Sequence, residues 1–157
     1  MERQTELRIE VQRQKLLRDL FSIYPIECHH GNQFLIRDAE LPSDVLSGDV
    51  DEDEVSAALG FVCHTVVMLS KYLSVPLRYR IVCNSSRSAI QDDGTTILPL
   101  FHSRIVERNQ ISRAMVLLHR NVDRILKSKD LSIATGRENI LVKLRRLYTE
   151  MLGPIEP

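Results

Sequence analysis

Three residues of metal-binding type stand together at Cys28, His29 and His30. Zinc sites need three or four ligands that converge in a tetrahedron around one ion. Three consecutive residues in a hairpin turn cannot all point at one ion, and Cys63 and Cys83 lie far along the chain. We therefore predict exposed turn histidines and a buried thiol that acts as a small hydrophobic side chain, with no metal site and no cofactor.

A nucleophilic pair could form from Cys83 with either His64 or His102. A thiol becomes an effective nucleophile when a neighbouring base activates it and a third group orients that base. The sequence contains no recognisable nucleophile elbow, glycine-rich oxyanion turn or orienting residue. A small hydrolase or transferase that uses Cys83 or a histidine therefore remains only an alternative to a protein that is not an enzyme.

The segment from Ser85 to Ser88 could bind phosphate, because hydroxyl groups, backbone N–H groups and the Arg87 guanidinium all suit an anion. It lacks the glycine-rich pattern ending in Gly-Lys-Ser/Thr that is typical of phosphate-binding loops. Serines in a hairpin turn commonly satisfy local backbone groups instead. We favour the turn.

The last predicted helix carries a basic group made of Lys143, Arg145 and Arg146. These side chains could meet an anionic membrane surface. On an amphipathic helix such residues more often form the solvated side, opposite the apolar face. We predict the solvated side, and we keep an independent membrane-surface or phosphoinositide-binding module as an alternative function.

Composition narrows the class of protein. The 157 residues are 43% hydrophobic, and 21 basic side chains balance 21 acidic ones. This balance, together with four Phe, four Tyr and no Trp, argues against a nucleic-acid partner. Three widely spaced cysteines fit a reducing compartment rather than a disulfide framework, and no continuous apolar run is long enough to span a bilayer. We expect a cytoplasmic protein.

The first element is a charged helix without Gly or Pro, from Glu2 to Phe21. Its apolar stripe is sparse, with Ile9, Leu16 and Leu20 interrupted at Arg13. A helix with so little apolar area is marginal alone, so a partner must cover the stripe. We interpret it as the end of a coiled-coil helix whose seam is Ile9, Leu16 and Leu20. The alternative is a helix that lies on its own domain.

Hairpins and helices then alternate along the chain. Two β-prone runs flank Gly31, and a strong 3.6-residue apolar period follows from Val55 to Leu73. Pro76 ends that helix, strands are predicted over 77–82, 87–91 and 95–100, and a second long helix over 107–127. The final helix should begin at a capping box over 135–138.

This order predicts an α+β fold in which a β-hairpin/helix unit occurs twice, at about 23–74 and 77–127. The units would form one domain over 23–157, preceded by the end of a coiled-coil helix over 1–22. Antiparallel hairpins covered by long helices would enclose the core.

Several blocks of residues occur in an order and spacing typical of one known family. The blocks are Ala58-Leu59-Gly60-Phe61, Val75-Pro76-Leu77-Arg78-Tyr79, Ser86-Arg87-Ser88 and Leu98-Pro99-Leu100. Between about Gln12 and Leu126 they resemble the C-terminal region of the UV radiation resistance-associated protein (UVRAG) family. Arg80, Ser85 and Leu98 depart from the family pattern, which usually has Pro, Gly and Phe there. The related autophagy-14-like subunit has a similar helix and hairpin region.

The resemblance implies a domain like the BARA domain of Beclin, built from repeated β-β-α units and preceded by a coiled coil. It also implies a non-enzymatic regulatory subunit of the class III phosphatidylinositol 3-kinase complex, on endosomal or autophagic membranes. In that family the coiled coil pairs in parallel with a Beclin-like subunit, while the kinase is a separate chain. The matched blocks, including Arg78 and Arg87, would then hold the fold or an interface rather than perform chemistry.

Overall fold

Long helices alternate with short antiparallel strands. The computed structural model describes residues 2–131 and 138–152. In chain order the described elements are α1 (Glu2–Ile23), β1 (Ile26–His29), β2 (Gln33–Ile36), β3 (Ala39–Glu40), α2 (Glu52–Leu73), β4 (Ile81–Val82), β5 (Ala89–Gln91), β6 (Ile97–Pro99), α3 (Arg108–Ser128) and α4 (Ile140–Leu152). The predicted α+β class is confirmed.

The first sheet has the strand order β1-β2-β3, with both neighbouring pairs antiparallel. The β1–β2 turn uses Gly31 and Asn32 at positive φ, as the sequence predicts. A second tight turn follows at once, with Arg37 at φ 46° and Asp38 at φ 64°. Two successive residues at positive φ match a type I′ hairpin turn, although neither is the usual Asn or Gly. The sequence pattern therefore did not reveal β3.

The second sheet has the order β4-β5-β6, again antiparallel, and pairs Ile81 with Ile90 and Ile90 with Leu98. Its first strand begins four residues later than the apolar alternation predicts. The backbone of Tyr79 is hydrogen-bonded to the side chain of Asn121 on α3, at 3.1 Å for its N–H and 2.8 Å for its carbonyl. Since this segment is held by a side chain, it forms a loop rather than a strand.

Helix α2 is the centre of the core. Asp51 caps its N-terminus, with a side chain that accepts hydrogen bonds from the backbone of Asp53 and Glu54, and Ser74 caps its C-terminus in a left-handed conformation. Although polar residues interrupt its apolar ones, α2 as a whole is long and apolar enough to cross a membrane, and much of it is buried inside this domain. Its side chains with no more than 1% exposure are Val55, Ala58, Leu59, Val62, Cys63, Thr65, Val66 and Leu69.

Helix α4 closes the core against the end of α1. The ring of Phe21 stacks on that of Tyr148, with centroids 3.4 Å apart, and the Tyr148 hydroxyl donates to the carbonyl of Tyr24 at 3.2 Å. At the start of α4, Oδ1 of Asn139 accepts from the N–H of Leu141 at 2.9 Å. Most of the predicted capping box, residues 135–137, lies outside the described residues.

Candidate functional site

The N-terminal half of α1 lies outside the core. Every residue over 2–12 is exposed, and Leu17 is the first buried side chain. Three apolar residues spaced by seven follow one line of the helix: Ile9 is 54% exposed, Leu16 is 42% exposed and Ile23 is 53% exposed. A seven-residue repeat of apolar side chains is the pattern of a coiled-coil seam. We call Ile9, Leu16 and Ile23 the exposed stripe.

The three residues of the predicted seam differ in their exposure to solvent. Ile9 and Leu16 are open, whereas Leu20 is 4% exposed and belongs to the domain's own core. Leu20 is therefore not available to a partner, because the C-terminal part of α1 packs on its own domain. Ile23 takes its place on the exposed line. The seven-residue spacing from Leu16 indicates this position, although the sequence also favours residue 23 as the start of the first hairpin/helix unit.

Charged residues occupy the first two of the position-a sites that neighbour the exposed stripe, and the buried Leu20 occupies the third. With Ile9 and Leu16 as heptad position d, Glu6 and Arg13 fall at position a. Arg13 is 3.5 Å from Glu10 on its own helix, a partly exposed pair of small energetic value. A charge at position a weakens a seam but restricts which partner and register fit it.

A second feature, which we call the polar cleft, lies between the first sheet, α2 and the turn that follows β4. It has a volume of about 510 Å³. Its lining residues are Tyr24, Arg37, Ala57, Gly60, Phe61, His64, Cys83, Ser85 and Ser86. The cleft thus joins parts of the chain that are distant in sequence, including two of the matched motif blocks.

Gly60 brings the serine turn against α2. A Cβ on Gly60 would overlap the carbonyl oxygen of Ser85, so only glycine permits this approach. Within the turn, the buried Ser88 hydroxyl donates to the Ser85 carbonyl at 2.9 Å and accepts from the N–H of Asn84 at 3.0 Å. Ser88 therefore satisfies local backbone, as predicted for a turn, while Ser86 faces the polar cleft.

Cys83 and His64 both line the polar cleft, as a nucleophile–base pair would require. Burial, however, raises the pKa of the Cys83 thiol, and Nδ1 of His64 is hydrogen-bonded to the Tyr24 hydroxyl. An activated thiol needs a lowered pKa. The other candidate base, His102, contacts the carbonyl of Val45 through Nε2 at 2.8 Å. The arrangement does not match a catalytic thiol.

The remaining motif residues lie mainly in or against the core. Tyr79 is buried, and Val75 and Leu77 are partly buried against the core. Pro76 is exposed directly after the end of α2. These positions explain the block as a structural connection between α2 and the second sheet.

The two motif arginines are exposed and stack on aromatic rings. The guanidinium of Arg78 lies 5.3 Å from the Tyr79 ring centroid and 3.5 Å from a carboxylate oxygen of Asp93. The guanidinium of Arg87 lies 4.9 Å from the ring centroid of Phe101. Neither arginine lines the polar cleft, so Arg87 does not supply the charge that a phosphate site at the serine turn would need.

The candidate metal ligands Cys28, His29 and His30 do not form a group that could hold an ion. His29 is exposed and contacts a carboxylate oxygen of Glu27 at 2.9 Å, while His30 is exposed and Cys28 is half-buried. Over 2–131 and 138–152, no three His, Cys, Asp or Glu side chains are grouped so that they could hold a metal ion.

Lys143 corrects the expectation of a solvated basic face on α4. It is 1% exposed, and its Nζ donates to Oδ1 of Asp123 at 2.7 Å and to Nδ1 of His119 at 3.1 Å. Burial, followed by the charge of Lys143, lowers the pKa of His119 to about 4. We call these three residues the buried triad, in which Lys143 is buried and Asp123 and His119 are half-buried. Arg145 is exposed as predicted, so only part of the basic group is solvated.

Known proteins are similar to this chain over much of its length. It is 34% identical to vacuolar protein sorting-associated protein 38 of Schizosaccharomyces pombe over 142 residues, which covers 85% of this chain and 29% of that protein. It is 32% identical to the UV radiation resistance-associated gene protein of Drosophila melanogaster over 142 residues, or 78% of this chain and 20% of the relative. The mouse UV radiation resistance-associated protein is 34% identical over 89 residues, or 57% of this chain and 13% of the relative.

No family model matches the chain. The chain spans less than a third of the length of each of these three curated relatives. Identity at this level, shared with mammalian, insect and yeast proteins, agrees with the motif blocks that first suggested the relationship. The chain belongs to the family of UV radiation resistance-associated proteins and vacuolar protein sorting-associated protein 38.

Proposed function

We propose that the chain is part of a non-enzymatic regulatory subunit of a class III phosphatidylinositol 3-kinase complex. In this proposal it pairs with a Beclin-like subunit and helps to place the separate kinase chains on endosomal or autophagic membranes. Family membership supports a role in vacuolar sorting, since one relative is named for vacuolar protein sorting. The observation that carries the pairing is the exposed stripe of α1.

Burial energy gives the expected strength of that pairing. Fully burying one Leu or Ile side chain contributes about 1.5–3 kcal/mol. The three side chains of the exposed stripe are each about half exposed, so covering them contributes roughly 2–4 kcal/mol in all. An energy of about 4 kcal/mol corresponds to a dissociation constant near 1 mM. A stable complex therefore needs further contacts, and we propose that the domain packs beside the partner's equivalent domain.

The arrangement of the domain supports its proposed likeness to a BARA domain. Three short antiparallel strands followed by a helix of 21 or 22 residues occur twice, as β1-β2-β3-α2 and β4-β5-β6-α3. We propose that these are structural repeats. Such units cannot cover their own apolar faces, so neighbouring units share one core.

The pairing can be tested by recovering a tagged chain from cell lysate and probing the eluate for a Beclin-like subunit and for phosphatidylinositol 3-phosphate synthesis. The double variant Ile9→Glu and Leu16→Glu places charge on the exposed stripe. The matched control, Leu7→Glu with Val11→Glu, changes two exposed apolar residues roughly 140–180° away from Ile9 and Leu16 around the same helix. Both variants should leave the domain folded, because all four side chains are exposed.

We expect the stripe variant to lower recovery of the Beclin-like subunit at least tenfold and the control to keep most of it. Equal recovery with both variants would show that this face of α1 is not the seam. A wild-type chain that recovers neither the subunit nor kinase activity would favour the alternative of an independent membrane-surface module.

A further inference from the structure

The polar cleft is lined by positive and hydrogen-bonding groups. Arg37 supplies a guanidinium, His64 an imidazole, and Tyr24, Ser85 and Ser86 supply hydroxyls. None of the nine lining residues is acidic. Guanidinium and hydroxyl groups bind phosphate oxygens well, and a guanidinium can do so through two parallel hydrogen bonds. We propose that the polar cleft binds a phosphomonoester, with Arg37 as the principal cation.

The side chain of Arg37 is held ready for such a ligand. Its backbone is fixed in the type I′ turn, where its N–H donates to the carbonyl of Pro25 at 2.8 Å. Its guanidinium carbon lies 5.5 Å from the ring centroid of Phe61, so the planar group rests on an aromatic face. Among the described residues no carboxylate forms an ion pair with Arg37. The donors of Arg37 are therefore available to an anion.

His64 can add a further donor. Burial raises the pKa of Tyr24, so its hydroxyl keeps a proton that it can donate to Nδ1 of His64. An imidazole that accepts at Nδ1 carries its own proton on Nε2. The His64 side chain is exposed, so Nε2–H is a further donor at the cleft.

The sequence suggests Arg87 as the cation of a phosphate site at the serine turn. In the structure the arginine that lines the cleft is Arg37, in the turn between β2 and β3. The serine turn still takes part, because Gly60 brings Ser85 and Ser86 to the edge of the cleft. A volume of about 510 Å³ lies within the range of roughly 300–1,000 Å³ typical of small-molecule sites. It is ample for a phosphorylated small molecule or a lipid headgroup. This inference does not rest on the proposed pairing of α1.

The test uses isothermal titration of the whole chain with inorganic phosphate and with glycerol 3-phosphate. In a parallel arm, the chain is sedimented with vesicles of phosphatidylcholine, with and without phosphatidic acid. Arg37→Gln removes the charge, and Arg37→Lys keeps the charge but not the paired donors. The control Arg78→Gln removes another exposed arginine, which pairs with Asp93 and does not line the cleft. Circular dichroism confirms that each variant is folded.

We expect saturable binding of at least one phosphomonoester, weakened at least tenfold by Arg37→Gln, less by Arg37→Lys, and unchanged by Arg78→Gln. A Ser86→Ala variant should weaken binding several-fold. Binding to either soluble ligand supports a free phosphorylated molecule, whereas binding restricted to phosphatidic acid vesicles supports a lipid headgroup. No saturable binding in either arm, or equal binding by wild type and Arg37→Gln, overturns the proposal.

Discussion

The buried triad makes the stability of the domain depend on pH. His119 has a pKa of about 4 in the folded chain, against an ordinary value of 6.5, because burial and the charge of Lys143 both oppose a second positive charge. Above pH 6.5 the imidazole is neutral in both the folded and the unfolded chain, so it has no effect. Between pH 6.5 and pH 4 the unfolded chain binds a proton that the folded chain does not. The free energy of unfolding therefore falls as the pH falls.

The size of the loss follows from the two pKa values. Each unit of difference corresponds to about 1.4 kcal/mol, so the span from 6.5 to about 4 amounts to roughly 3 kcal/mol. Most of this loss should occur above pH 4, because near pH 4 the folded chain also begins to bind the proton. Domains of this size are typically stable by about 5–15 kcal/mol, so the effect is a substantial share of the total.

Urea unfolding followed by circular dichroism, at pH 7, 6, 5 and 4, measures this loss. The informative variant is His119→Asn, because its amide oxygen can accept from Lys143 in place of Nδ1 but does not titrate. Carboxylates contribute to acid unfolding in both proteins, so the difference between the two curves isolates His119. The control His30→Asn removes an exposed histidine from the first hairpin.

We expect the stability of wild type and of His30→Asn to fall more steeply than that of His119→Asn, by about 3 kcal/mol between pH 7 and pH 4. Parallel curves for wild type and His119→Asn would refute the reasoning. That result would mean that His119 is protonated in the folded chain, or that the packing of α3 against α4 opens without cost.

Two further predictions concern close contacts around α2 and α3. Gly60→Ala should lower the free energy of unfolding by about 1–3 kcal/mol, because its Cβ overlaps the Ser85 carbonyl and must displace backbone. Gly48→Ala, with no atom within 4 Å of its Cβ, should change stability by less than about 0.5 kcal/mol in the same urea titration. Asn121→Ala leaves the N–H and carbonyl of Tyr79 without their partner and should cost roughly 2–4 kcal/mol. For Gly60→Ala or Asn121→Ala, an unfolding midpoint equal to that of wild type would contradict the expectation for that variant.

Helices and turns whose formation depends on residues close together in the sequence could be predicted from local patterns. The apolar period of α2 is strong enough to predict both its extent and its burial, since every third or fourth residue must face the core. The order of hairpins and helices followed from Gly31, from Pro76 and from changes of period. Contacts between distant residues had no such signal. Asn121 replaces strand pairing at Tyr79, and nothing near either residue in the sequence reveals this.

Periodicity also does not say what covers an apolar or charged position. Leu16 and Leu20 look alike in the sequence, yet only Leu20 meets the domain's own core. In the sequence Lys143 looks like a solvated residue, yet it is buried and its ammonium group donates hydrogen bonds to Asp123 and His119 on α3. Arg37 and the serine turn are distant in the sequence, and only the fold places them along the same cleft. These residues depend on tertiary contacts, which a single sequence does not display.

The continuity of α1 has a mechanical consequence. Its exposed half and its docked half form one helix from Glu2 to Ile23, with neither Gly nor Pro to act as a hinge. The exposed residues 2–12 extend about 16 Å at 1.5 Å per residue, while stacking on Tyr148 fixes the other end to the domain. A partner that binds the exposed half would thereby fix the orientation of the whole domain. Inserting one residue between Gln14 and Lys15 would turn the domain by about 100° about the helix axis. The number of residues between the exposed part of α1 and the domain therefore determines the direction in which the domain faces.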